Sequence, residues 1–501
     1  MEGRAPGTPG GRRAADYLAE QLAAAGVGAG VDGGWFQDVP LHGSRVLPAS
    51  ELVVTSECGE RALRPGEDFL LFTAGQQTRV PRPTPVVFAG WGIIAPEFDH
   101  NDYHDLDVRG RVVLLLAGEP ASDDPAFFDG ARPTVHASPS IKERVALSRG
   151  AQGSLILPAL DAPPWQDWEW WRQQFAFEDL TLAYALPQHL SALIRPGVAG
   201  AFFCGAPEDL EVIRERRMRL TLEGFPLAAQ VRFRGAFEER DFLSPNVVGL
   251  VRGSDPELAD TAVIVSAHHD HLGIGPPVDG DAIYNGVLDN ALGVAAVLEI
   301  ARVIAGLPVS PRRSVVFLFT TAEERGLLGA SFYLDHPVLP LRRTVAALNV
   351  DGLSSFDPVR SFHVLGGELS SLGETIAAVA AERGLAVVRT GPDEVRHDVY
   401  ARSDQKAFAE AGVPAVLVNE SLETVHEDPR EALAHAIRWS RTRYHTPADD
   451  LSQEIDWEAA RQHAELLAAV VLEVANAVEP PRWRPGVPYR AAQLRALAEG
   501  R

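Results

Sequence analysis

The spacing of apolar and polar positions changes several times along the chain. Residues 13–26, RAADYLAEQLAAAG, repeat apolar side chains at helical spacing and stop at Gly26, which predicts an amphipathic helix. A glycine-rich stretch follows, and then PLHGSRVLPASELVV, which reads as short strands. From about 75 to 225 apolar runs are bounded by Gly and Pro. PVVFAGWGI (85–93), GRVVLLLAG (110–118) and AQGSLILPAL (151–160) read as strands, with a short helix over 141–150. From about 230 to 478 strands and helices alternate. Strands are predicted at 246–253, 261–270, 313–321, 344–351, 360–366 and 414–419, and helices over 290–306, 326–335, 370–384, 404–411 and 456–477. This alternation implies an α/β fold with a mixed, mostly parallel central sheet flanked by helices. Residues 1–74 and 226–501 then form one domain, and 75–225 form a strand-rich insertion within it. From Pro480 the chain is rich in Pro and Arg and is expected to run over the surface.

Composition narrows the partners. The chain of 501 residues has 46 Lys and Arg against 68 Asp and Glu, a net charge of −22. Only Lys142 and Lys406 are lysines, and no long basic run exists, so no nucleic-acid partner is expected. No run of 18 apolar residues is present, so no membrane span is expected. The opening MEGRAPGTPGGRRAADYL lacks the apolar core of a signal peptide. As the chain stands this points to the cytoplasm; the alternative is an exported protein whose leader is missing from this chain. Cys58 and Cys204 lie far apart in sequence and form no CxxC pair, so they read as small buried hydrophobes, with one bridge left open. The tryptophans Trp165, Trp168, Trp170 and Trp171 read either as packing at a module surface or interface, or as a lid over a cleft.

The chemistry collects where the apolar strands end. In open α/β sheets ligands bind beyond the carboxyl ends of the strands. VIVSA is followed by His268 and Asp270, FLFTTA by Glu323 and Glu324, and AALNV by Asp351, while Asp289 sits just before a helix in GVLDNALG. Histidines and carboxylates without cysteine suit Zn²⁺, with Co²⁺ or Mn²⁺ as alternatives. Two histidines and three carboxylates serve two metals if one carboxylate bridges. Asp289 is the natural bridge: His268, Asp289 and Asp351 would hold one ion, and Asp289, Glu324 and His445 the other. Glu323, next to a proposed ligand, suits general acid–base work. Asp270 is placed to accept a hydrogen bond from the non-ligating nitrogen of His268 and fix its tautomer. His269 should alternate away from His268; it and His271 are not taken as ligands, and His363, His397, His426 and His435 read as surface groups.

These residues lie in motifs that resemble metallopeptidase family 28, which contains bacterial leucine-type aminopeptidases. The motifs are SAHHDHLG (266–273), GVLDNALG (286–293), TTAEERGLLGA (320–330), LNVDG (348–352), YARSDQKAFAEAGVPAV (400–416) and YHTPADDL (444–451), in family order, with EGRAPGTPGG (2–11) at the start. Residues 85–160 look like the protease-associated domain that many members insert. The resemblance implies the zinc-exopeptidase (phosphorylase/hydrolase-like) fold, two zinc ions on His268, Asp289, Glu324, Asp351 and His445, and Glu323 as general base. It implies that Tyr400, in the YxxSD arrangement, donates to the developing oxyanion, and that the Asp289–Asn290 peptide bond is cis. Two positions depart from the family: Gln405 stands where relatives often have His, and His269 where they often have Tyr.

The expected activity is therefore hydrolysis of the N-terminal residue from a peptide with a free amino end. Rival readings within the fold are a carboxypeptidase, which needs a cation such as Arg396 or Arg402 for the substrate carboxylate, and a single-zinc glutaminyl cyclase. A rival of another class is a binding protein resembling the transferrin receptor; the full ligand set and Glu323 argue against it. Side-chain preference and oligomeric state are not legible.

Overall fold

The computed structural model describes residues 1–72, 74, 75, 78–120, 124, 126–128, 130, 134–158, 167–186, 189–353, 356–388 and 400–499. Two compact units emerge, one built from Met1–Leu41 and Phe242–Arg501, the other from His42–Asp241.

In the first unit the elements run α1 (Pro9–Ala24), β1 (Phe36–Val46), β2 (Phe237–Val251), β3 (Ala262–His268), α2 (Leu292–Ala305), β4 (Ser314–Thr320), α3 (Leu328–Asp335), β5 (Thr344–Asn349), β6 (Ser361–Leu365), α4 (Leu372–Ala381), β7 (Ala386–Val388), α5 (Gln405–Glu410), β8 (Ala415–Glu420), α6 (Pro429–Thr442), α7 (Trp457–Asn476) and α8 (Tyr489–Glu499). The sheet orders them β1-β2-β4-β3-β5-β8-β6-β7. Its four central strands, β4, β3, β5 and β8, are mutually parallel, while β2 and β6 run antiparallel to their inner neighbours. The expected mixed, mostly parallel sheet is thus observed.

Every residue of β3 and β4 is buried, as a strand covered on both faces requires. Alternate side chains feed two cores. Val263, Val265, Phe317 and Leu348 face a layer supplied by α1, α2, α4 and α7, whereas Ile264, Val316, Leu318 and Ala347 face Tyr333, Phe408 and Trp483. Helix α1 starts at Thr8, whose hydroxyl accepts the Gly11 amide, with Pro9 in the first turn. It buries Ala15, Leu18 and Leu22 at helical spacing against that first layer. Full burial of one leucine such as Leu22 contributes about 2 kcal/mol.

The insertion is larger than the sequence pattern indicates. It spans His42–Asp241 rather than 75–225. Strands Glu51–Ser56 and Gly59–Leu63 pair with each other, the first also pairs with Phe225–Arg234, and that strand pairs with Val80–Phe88, so both flanks of the expected segment join the sheet of its interior. The eight-stranded sheet continues through Val80–Phe88, Val112–Leu116, Gly153–Leu157 and Leu190–Ile194 to Phe69–Leu71. Trp168 and Trp171, on a short helix capped by Asp167, pack against Val87, Leu115 and Ile156 inside this unit, which favours the packing reading; Trp165 lies outside the described residues.

The reading of the two cysteines as separate buried hydrophobes is corrected. Cys58 and Cys204 form a disulfide with Cα atoms 5.9 Å apart. The turn between two strands holds Cys58, the end of helix Gly200–Phe203 holds Cys204, and folding brings the two together across 146 residues. The tail after Pro480 is folded: α8 forms there, and the Trp483 indole donates to the Gly412 carbonyl at 2.9 Å. Helix α6, which the apolar pattern does not predict, begins at a capping box in which Asp428 and Glu431 cap each other's amides, with Pro429 at the first position. No helix among the described residues is long and apolar enough to cross a membrane.

Candidate metal centre

Register explains how distant residues meet. His268 ends β3 and pairs with Thr320 at the end of β4, while Ser266 pairs with Asn349 at the end of β5. Glu323 and Glu324 therefore leave the sheet beside His268 on one side, and Asp351 leaves it on the other. Asp289 arrives from the turn that precedes α2, and His445 from the loop after α6. The Asp289–Asn290 peptide bond is cis.

The five expected ligands converge. His268 Nε2 lies 3.2 Å from Asp289 Oδ1 and 3.2 Å from Asp351 Oδ1. His445 Nε2 lies 3.2 Å from Asp289 Oδ2 and 3.1 Å from Glu324 Oε2. The two oxygens of one carboxylate, Asp289, thus face two different histidines. His268, Asp289 and Glu324 each bring one potential ligand atom to within 4.8 Å of the others, a grouping that could hold a metal ion.

The charge balance calls for a cation. His268 Nδ1 is 3.2 Å from the Asp270 carbonyl oxygen, which only accepts, so Nδ1 carries the hydrogen and Nε2 turns its lone pair toward two carboxylate oxygens. Lone pair against lone pair is unfavourable unless a proton or a metal ion lies between. The pull on such a cation is strong: burial opposes charge on His268, but Glu323, Asp351 and Asp289 hold it well above the ordinary histidine range. His445 is likewise pushed up to about 10, against burial, by Glu324 and Asp289. Burial would raise Glu324, yet His445 and His271 hold it well below the usual carboxylate range. The donor set of imidazoles and carboxylates fits zinc.

Glu323 is different. It is 8% exposed, and burial together with Asp351, Asp404 and Glu324 holds it well above its ordinary value, His268 opposing. A carboxyl so placed is suited to carrying a proton. Asp270 acts otherwise than expected. Its backbone carbonyl, not its carboxylate, takes the His268 Nδ1 hydrogen bond; the carboxylate oxygen Oδ1 stands 3.8 Å from Nδ1 and accepts the Glu323 amide at 3.1 Å. Asp270 therefore steadies the Glu323 backbone as well as His268.

Tyr400 is a correction. Its hydroxyl donates to the Ala415 carbonyl at 3.1 Å, and its ring is buried among Phe408, Leu365 and Leu417. Ala415 pairs with Ala347, which is level with Ile264, four residues short of His268 and so roughly 13 Å down the sheet. A side chain at Gly366 would strike this ring. Tyr400 therefore has no part in the centre.

Three residues the sequence did not assign complete the site. Tyr444 stacks on the His445 ring at 3.9 Å, and its hydroxyl is held well above its ordinary value by burial, then by Asp289, Glu324 and Asp351, with Arg402 opposing. The hydroxyl therefore keeps its hydrogen and can donate it. His271 Nδ1 is 2.6 Å from Glu324 Oε1 and orients that carboxylate. Asp449 accepts the amides of Leu288 and Asp289 at 3.0 and 3.1 Å and so fixes the turn that carries Asp289. His269 points away from His268, as strand alternation predicts; its Nε2 meets the Pro245 carbonyl at 3.0 Å, and burial lowers it to about 4. Gln405 joins a buried chain in which it accepts from Asn349 at 2.9 Å and donates to the Tyr400 carbonyl at 2.7 Å.

Comparison with known proteins bears on the same segment. Residues 246–471 match the profile described as Peptidase family M28. Those residues belong to peptidase family M28. The chain is 28% identical over 243 residues to aminopeptidase YwaD of Bacillus subtilis, covering 48% of this chain and 46% of that protein. It is 25% identical over 252 residues to probable leucine aminopeptidase 2 of Aspergillus oryzae, covering 46% and 45%. The matched region thus spans about half the length of these relatives. An aminopeptidase from Aneurinibacillus sp. strain AM-1 superposes with a TM-score of 0.54 at 19% identity, covering 96% of this chain and 92% of that one, which establishes a shared fold.

Proposed function

We propose that this M28 protein is a two-zinc aminopeptidase that removes N-terminal residues from peptides. One observation carries the reading: Asp289 offers one oxygen to His268 and the other to His445, and each histidine also faces a second carboxylate. His268, Asp289 and Asp351 would hold one ion, and Asp289, Glu324 and His445 the other. When bound, such a pair supplies Lewis acidity toward a carbonyl and makes water a stronger nucleophile at neutral pH. The mixture of imidazole and carboxylate ligands favours zinc over cobalt or manganese.

The chain's own residues do the rest. Glu323 takes a proton from the attacking water and returns it to the leaving amine nitrogen. Tyr444 donates its hydroxyl hydrogen to the carbonyl oxygen as negative charge develops there, the role that the family resemblance implies for Tyr400. The surrounding carboxylates favour a cationic amino terminus on the substrate. Hydrolysis of aminoacyl-nitroanilides and of their N-acetylated counterparts, with and without a chelator, tests this. Chelator-sensitive cleavage of the free-amine substrates alone is the expected result. In the same assay Tyr444→Phe is expected to lower kcat by about 100-fold, whereas Tyr400→Phe leaves it within a few-fold. No cleavage by protein that holds two metals would favour a carboxypeptidase, and no cleavage by protein that holds one would favour a cyclase. For the former, Arg402 is exposed, and Arg396 lies outside the described residues.

We further propose that the unit His42–Asp241 is a protease-associated domain and that the chain works in an oxidising compartment. The second point is supported by the Cys58–Cys204 bridge, since such bonds persist outside the reducing cytosol. Thiol titration of unreduced protein should find no free thiol; two thiols would withdraw that support.

A further inference from the structure

The segment before α1 contains a side chain whose contacts all lead to the metal centre. Arg4 donates from Nε to the His269 carbonyl at 2.8 Å, from Nη1 to the Asn285 carbonyl at 2.6 Å and from Nη2 to the Gly286 carbonyl at 3.0 Å. His269 follows His268 directly. Asn285 and Gly286 open the turn that delivers Asp289. One planar cation thus joins the two loops that carry a proposed ligand of the first ion and the bridging carboxylate. Its charge lies in the field of Asp270, Asp289, Glu324 and Asp449.

The backbone is strained to put it there. Arg4 has φ +54°, a left-handed conformation that a non-glycine residue adopts only when its surroundings impose it. The preceding Gly3, at φ +71°, is pressed so close to the hairpin 273–284 that a Cβ would lie 2.4 Å from the Gly273 carbonyl oxygen and 2.5 Å from that of Tyr284. A strained backbone that aims one guanidinium at three carbonyls is explained if those carbonyls have to be held in register.

We propose that Arg4 is a positioning residue of the metal centre, setting the separation of His268 from Asp289 by tying the His269 carbonyl to those of Asn285 and Gly286. The inference rests on the two-zinc reading above. It does not make Arg4 a ligand or a catalytic residue. Lysine cannot replace it, because an ammonium carries its donors at one point and cannot span three carbonyls.

The test is a zinc titration against a chromophoric chelator, with the visible spectrum of the cobalt-loaded protein as a second readout. Wild type, Arg4→Met and Arg4→Lys are compared, and far-UV circular dichroism establishes that each is folded. Both variants are expected to bind zinc about 10- to 100-fold more weakly and to show altered cobalt d–d bands. If Arg4→Met does not fold, Arg4→Lys alone decides. Folded variants with wild-type zinc affinity and an unchanged cobalt spectrum would overturn the inference. So would full recovery by Arg4→Lys, which would assign the effect to charge alone. A wild-type protein that takes up no zinc would instead defeat the functional reading itself.

Discussion

Glu323→Ala is expected to abolish nearly all turnover while leaving both metals in place. Asp289, Glu324 and Asp351 each pair with His268 or His445, and Glu323 stands outside these pairs. Its removal therefore takes away the proton carrier and no ligand. General acid–base catalysis contributes about 10²–10⁴ in rate, so kcat should fall by that factor, with KM changed little and zinc content unaltered. Metal analysis beside steady-state kinetics checks both halves. Activity surviving within ten-fold would show that another group moves the proton.

Asp289→Ala has a larger structural consequence. Its carboxylate is the shared member of both proposed ion sites, and its two oxygens point to different histidines. Without it each site keeps only two protein ligands, fewer than the three that catalytic zinc sites use. Zinc content measured after gel filtration is expected to drop from two per chain to near zero. Retention of one ion at full occupancy would show that Asp289 does not bridge, and the division of ligands would have to be redrawn.

Much of this centre is legible in the amino-acid sequence, for a physical reason. The parallel strands β3, β4 and β5 are buried on both faces, so they appear as unbroken apolar runs, and the first polar residues after them must lie at the carboxyl edge of the sheet. That pattern places His268, Glu323, Glu324 and Asp351 at one edge. What lies beside them is not legible. His271 and Asp449 sit inside recognisable motifs, but nothing in the chain states that one orients Glu324 and the other the Asp289 turn. Tyr400 and Tyr444 both stand in the motifs, and only packing distinguishes them: one is buried with its hydroxyl on the Ala415 carbonyl, the other lies flat on His445. The insertion boundary escapes a linear reading because strands Glu51–Ser56 and Gly59–Leu63 resemble any other short hairpin until their distant partner Phe225–Arg234 is known. The capping box at Asp428, by contrast, is a local signal that suffices to find α6.

The division of the first unit into two pieces affects how the protein is made. Helix α1 packs on strands that belong to Phe242–Arg501, and 200 residues of the second unit, from His42 to Asp241, come off the ribosome in between. At about 5–20 residues per second, the stripe of Ala15, Leu18 and Leu22 waits about 10–40 s for its partners. The second unit has its own core and can close during that interval, so the order of folding on the ribosome is the inserted unit first, then the one that surrounds it in sequence. Throughout the wait α1 displays an apolar face that is open to chaperone capture or to association with a neighbouring polysome product.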